Sequence, residues 1–133
     1  MATQIFVNLP VKDLKRSVAF FARLGFSFDP AFTDEKAAGV IVAKDICVLL
    51  VAEGFFKALT GKELCDTGRS AEVLVCLALG SRAKVDELAA AALAAGGTTP
   101  TEAKDLGFMY QHGFQDLDGH IWELIHLEPA NAR

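Results

Sequence analysis

Cysteine is scarce in this chain and carries no pattern. Cys47, Cys65 and Cys76 are all there is, and no two form a CxxC. An odd count without that spacing argues against a disulfide framework and for reduced thiols in a cytoplasm. A basic stripe is missing too. Lys and Arg number 13 against 17 Asp and Glu, a net charge of −4, so nucleic acid is not an expected partner. No apolar run exceeds strand length, which is too short to cross a bilayer. The first residues, Met1-Ala2-Thr3-Gln4, lack the basic start of a secretory signal. Asp116 and Asp118 sit close together, but the other ligands of a calcium-binding loop are absent.

What is present is apolar. Hydrophobic residues make up 52% of 133 positions, enough for one domain with a real core. That share is high for a soluble domain, so part of the surface is expected to be covered by a second subunit in a homodimer.

Residues 5–9 form a short apolar run ended by Pro10, and a strand is expected there. Asp13 caps a helix over 14–24, with Leu14, Val18 and Phe21 on one face and Gly25 ending it. A strand over 26–32 carries Pro30, which favours a sheet edge. The runs 38–43 and 46–52 read as a hairpin around Lys44-Asp45. Residues 53–70 read as a connector with a short helix near 55–59. A strand follows over 71–79. Ser81 then caps a helix with Val85, Leu88, Ala89, Ala92 and Leu93 at helical spacing, stopped by Gly96-Gly97. Residues 98–103 read as a polar edge strand, and 108–115 with 120–127 as a closing hairpin. A tail over 128–133 is expected to fray from Pro129.

The order is β-α-β-β-β, a connector, then β-α-β-β-β. The α+β chain therefore repeats in element order: module one over about 4–52, the connector over 53–70 and module two over about 71–127. A single helix covers one face of each small sheet. The other faces would line a shared cleft if the halves curve around it.

The stretch Phe114-Gln115-Asp116-Leu117-Asp118-Gly119-His120-Ile121-Trp122-Glu123-Leu124 is the most informative. Gly119 suits a left-handed turn position, and the aspartates can bond the turn's own amides. The segment also sets Glu123 inside an apolar strand. Such a charge must be paired, metal-bound or solvated in a cleft.

The same stretch, with Val11-Lys12-Asp13-Leu14-Lys15-Arg16-Ser17 and Leu24-Gly25-Phe26, resembles the vicinal oxygen chelate superfamily. That group includes glyoxalase I, fosfomycin-resistance thiol transferases, extradiol dioxygenases, methylmalonyl-CoA epimerase and bleomycin-binding proteins. The resemblance implies two βαβββ modules forming a curved mixed sheet, a homodimer, and a divalent metal such as zinc, nickel, manganese or iron. It carries the family's last-strand carboxylate ligand onto Glu123. It carries the first-strand ligand position onto Phe6 and the equivalent one in module two onto Leu74, neither of which can bind a metal. In the remaining position, within 46–52, only Cys47 has a ligand atom.

Strand alternation gives a second view of the site. A four-residue turn over 116–119 would pair His112 with Glu123 and Tyr110 with Ile125. Tyr110, His112 and Glu123 would then share a face. Glu72, Leu74 and Cys76 share one on the strand over 71–79, as do Phe6 and Asn8 on the first. The candidate ligand-binding set is Phe6, Asn8, Glu72, Leu74 and Tyr110. Glu123 and His112 are the candidate catalytic pair, and Glu123 is the candidate metal ligand. A register slip of one removes His112. Two functions follow. The first is a glyoxalase/bleomycin-resistance-like protein binding a small molecule without the full metal site. The second is a divergent metal-dependent lyase, isomerase or thiol transferase using Glu123 with Glu72 or His112.

Overall fold

Both expected helix caps form, and the sheets assemble around the helices they start. The computed structural model describes residues 3–128. Its chain divides into two units between Cys65 and Asp66. In the first unit, β1 (Ile5–Val11) leads to α1 (Leu14–Arg23), β2 (Ser27–Asp29), β3 (Ala37–Ala43), β4 (Ile46–Ala52) and α2 (Glu53–Thr60). In the second, β5 (Leu74–Ala78) is followed by α3 (Arg82–Ala94), β6 (Lys104–Asp105), β7 (Met109–Gln115) and β8 (Ile121–Leu127). The four-stranded sheets have matching orders, β1-β4-β3-β2 and β5-β8-β7-β6. In each, the first and last strands run parallel and the other pairs antiparallel. The α+β class and the repeat of element order are as expected.

Asp13 accepts from the Arg16 N–H at 3.2 Å to open α1, and Ser81 accepts from the Lys84 N–H at 3.1 Å to open α3. α1 buries Phe20 and Phe21 over a face that includes Leu9, Val11, Ala38, Val40, Val48 and Leu50. α3 buries Val85, Ala89 and Ala92, one helical stripe, against Phe114, Trp122 and Leu124 of β7 and β8. The rings of Phe114 and Trp122 stack at 5.9 Å and 6°.

Three expected boundaries move. β1 runs through Pro10 to Val11 instead of stopping at the proline. The Ile5 N–H bonds Asp45 O, so alternation turns the odd-numbered amides of β1 toward β4 and the Pro10 nitrogen to the sheet's outer edge. The expected strand over 26–32 breaks at Pro30, where Pro30–Phe32 form a 3₁₀ turn capped by Asp29. The expected strand over 98–103 shrinks to one bridge, Thr98 with Gln115, before β6. The tail expected to fray from Pro129 lies outside the described residues.

The β7–β8 connection is organised by Asp116, which is 6% exposed. Its Oδ1 accepts from the Asp118 and His120 N–H groups at 2.9 and 3.0 Å, and its Oδ2 from Trp122 Nε1 at 3.1 Å. Gly119 has φ +83°, and a Cβ there would stand 2.9 Å from Thr67 Oγ1. Thr67 Oγ1 in turn donates to the Asp118 carbonyl. Gly119→Ala is expected to cost about 1–3 kcal/mol in urea unfolding, from strain plus the Thr67 clash, with partial recovery in the Gly119→Ala/Thr67→Ala double variant.

Burial holds the Asp116 carboxyl above its ordinary value of 3.8, against the lowering effects of His120 and the three N–H donors. A folded carboxyl raised in this way takes up a proton more readily than the unfolded chain does. Its contribution to stability is therefore complete below pH 3.8 and declines as the pH rises through the raised value. Asp116→Asn is expected to remove that decline. Chemical denaturation of both proteins across pH 3–7 checks this, and parallel stability curves would refute it.

Candidate functional site

Asp116 and His120 exchange backbone and side-chain bonds, so the loop closes over residues 116–120 and not over 116–119. The register is fixed one residue away from the expected one. Glu123 pairs with Gly113, Gln111 with Ile125, and Gln115 with Ile121. His112 pairs with Leu124 and Tyr110 with His126, on the face covered by α3. The expected grouping of His112 and Tyr110 with Glu123 is therefore corrected: they lie on opposite faces of the hairpin.

Each displaced residue has structural partners. Tyr110 donates its hydroxyl to Asp86 Oδ1 at 2.6 Å, which raises the phenol's pKa, and its ring lies 5.0 Å under the Arg82 guanidinium. Arg82 also bridges Asp105 (2.9 Å) and Glu128 (2.6 Å). His112 Nε2 lies 3.1 Å from Thr101 O. A carbonyl can only accept, so Nε2 donates. The other ring nitrogen, Nδ1, is buried without a partner. His126 Nδ1 donates to Leu79 O at 2.9 Å. Glu72 is exposed and precedes β5, so the alternation that grouped it with Leu74 and Cys76 does not reach it.

The face away from α3 carries Glu123 in the middle of β8. Cys76 of β5 lies beside it on one side and Gly113 of β7 on the other. Leu74, opposite Ile121, is 54% exposed on the same face. Among the described residues no hydrogen bond or ion pair reaches the Glu123 carboxylate, which leaves it to solvent or a ligand. Sequence reasoning missed Gln111, Gly113 and Gln115 as its neighbours. The signal for Gly113 was a glycine inside a strand, which marks close backbone approach. A Cβ on Gly113 would stand 3.0 Å from Trp122 O.

In the first unit, Phe6 and Asn8 share the face away from α1, as expected, opposite Cys47 and Leu49. Phe32 meets Phe6 edge-on at 4.9 Å and crosses Gly39, where a Cβ would stand 3.0 Å from Phe32 Cβ. Phe6, Phe32, Asp29 and Cys47 border a hollow of about 90 Å³.

Two of the thiols are held toward their protonated form. Burial, then Asp29, raises the pKa of Cys47, and burial, then Glu123, raises that of Cys76. Removing the neighbouring charge in Glu123→Gln is expected to lower the Cys76 pKa. Iodoacetamide labelling of Cys76 at pH 8, followed by peptide mass spectrometry, should be faster in that variant. An unchanged rate would mean that the carboxylate does not act on the thiol.

The donor set does not fit the superfamily's metal. Phe6 and Leu74 carry no ligand atom, and the one thiol in β4, Cys47, is held toward its protonated form. Among the described residues, no three His, Cys, Asp or Glu side chains are grouped to share an ion.

The family described as bleomycin resistance protein-like N-terminal matches residues 3–42. No curated protein matches the chain. A hypothetical protein from S. aureus is similar at 28% identity, with 95% of each chain covered and a TM-score of 0.80. A glyoxalase/bleomycin resistance protein/dioxygenase family enzyme from Burkholderia phytofirmans PsJN has a TM-score of 0.80 at 18% identity, covering 96% of this chain and 100% of its own. A glyoxalase-related enzyme from Fulvimarina pelagi has a TM-score of 0.79 at 19% identity, covering 95% and 88%. The fold is that of the vicinal oxygen chelate superfamily. Glu123 stands in the last strand of the second sheet, and Phe6 and Leu74 in the first strands of the two sheets. No helix among the described residues is long and apolar enough to cross a membrane.

Proposed function

We propose that this protein is a glyoxalase/bleomycin-resistance-like binder of a small organic molecule, held at the open face around Glu123 without a chelated metal. One observation carries this reading: Glu123 survives in a pocket wall while the residues that would share a metal with it are apolar. The pocket measures about 190 Å³ and is bordered by Glu102, Gln111, Gly113 and Glu123, among others. Its fixed charges are both acidic. A carboxylate that faces no partner favours a ligand rich in N–H groups or carrying a positive charge. The same charges disfavour an anionic thioester substrate. The metal-dependent lyase reading needed His112 or Glu72 beside Glu123. His112 lies on the other face, and Glu72 lies outside the strand.

Trp122, the single tryptophan, precedes Glu123 in the strand and packs under α3, so its fluorescence reads binding through a shift of that strand. Titration with bleomycin, a cationic glycopeptide, is expected to change that fluorescence, and S-lactoylglutathione, an anion, is not. Glu123→Gln should weaken bleomycin binding about tenfold, the loss of one charge-assisted hydrogen bond. Protein purified without chelator should carry no stoichiometric zinc, nickel, manganese or iron. A stoichiometric metal that disappears in Glu123→Gln would overturn the reading in favour of a metal-dependent enzyme.

A further inference from the structure

The ladder on the outer edge of β7 is interrupted beside Glu123. Gln115 exchanges both backbone bonds with Thr98, at 2.8 and 3.1 Å, and Gln111 pairs with Lys104. Between those points, residues 99–103 span the same length as 112–114, so the outer segment bows away. Antiparallel alternation decides what it leaves behind. The Gln115 amide and carbonyl face outward, and Gly113, two residues away, must face the same way. Its N–H and C=O therefore point into the gap. Among the described residues, no backbone hydrogen bond joins Gly113 to the bowed segment. Pro100, in that segment, has no N–H to offer.

This gap opens on the pocket of about 190 Å³. Gly113 is half-buried, so its N–H and C=O are open at the pocket to a hydrogen-bonding ligand. A second observation falls on the α3 side of the same pocket. Among the described residues, His112 Nδ1 is the buried side-chain nitrogen or oxygen atom without a hydrogen bond, and His112 borders the pocket. The charged side chains at the wall are Glu102 and Glu123. Lys104 lies next along the outer edge, opposite Gln111, and does not border the pocket. The volume lies below the roughly 300 Å³ at which drug-sized sites begin, so it suits a one-ring molecule or one ring-sized group of a larger one.

We infer that this pocket takes a compact cationic molecule with an amide edge, an N–H beside a C=O, that completes the broken ladder at Gly113. The ligand's N–H donates to the Gly113 carbonyl, and its C=O accepts from the Gly113 N–H. Its positive group sits against Glu123, with Glu102 adding to the negative field. This deepens the small-molecule reading above and rests on it.

Three probes separate the parts: ornithine lactam, a six-membered lactam carrying an ammonium group; its ring-N-methyl derivative; and uncharged δ-valerolactam. Each is titrated into the ¹⁵N-labelled full chain and followed by amide chemical shifts. Ornithine lactam is expected to move the Gly113 and Glu123 resonances. Ring N-methylation, which removes the donor, should weaken it at least tenfold. Glu123→Gln should weaken ornithine lactam about tenfold and leave δ-valerolactam nearly unchanged, and Glu102→Gln should act in the same direction with a smaller effect. Equal binding of the N-methyl derivative, or an unmoved Gly113 amide, would overturn the amide-edge site. If bleomycin still changes Trp122 fluorescence in that case, the broader binding reading survives. If neither responds, both fail.

Discussion

The buried carboxylate of Asp116 sets the register on which the site depends. With three N–H donors gathered on it, the β7–β8 loop closes over residues 116–120. One residue more or less in that loop would turn every side chain of one strand to the opposite face. As built, Trp122 and Leu124 go under α3 and Glu123 goes to the open face. The carboxylate's other oxygen ties the loop to the indole of Trp122, the largest fully buried side chain. Loop geometry and core packing are thus held by one group. The cost is a carboxyl removed from water, visible in its upward-shifted pKa.

The two units use one topology for different ends. Both sheets bury one face beneath a helix and run their first and last strands parallel. On the open face of the first, aromatic contact dominates, with Phe32 lying over Phe6 and Gly39. On that of the second, polar groups dominate: Glu123, Gln111, Gln115 and the bare backbone of Gly113. The same topology thus carries a phenyl ring on the first strand of one sheet and a carboxylate on the last strand of the other.

The sequence made the repeat, the caps at Asp13 and Ser81, and the helical stripes legible, because periodicity and capping are local signals. It also put Trp122 on the face opposite Glu123, as the structure does. It misled at His112 and Tyr110, because the length of the 116–120 loop depends on where the Asp116 side chain bonds, and composition does not record that. The extent of β1 was misread for a related reason. Proline stops a strand only if its nitrogen faces a neighbour, and strand position within the sheet decides that. The broken ladder at Gly113 had one trace in sequence, a glycine within a strand. The bowing of 99–103 away from it is a tertiary outcome.

The placement of Pro10 has a consequence for how the protein behaves in crowded solution. β1 is a border strand, and such borders can template the growth of intermolecular sheets. With its ring nitrogen turned outward, Pro10 removes a donor that an incoming strand would need and sets a bulky ring in its path. The position that looked like the end of a strand thus makes this border a poor template for a further strand.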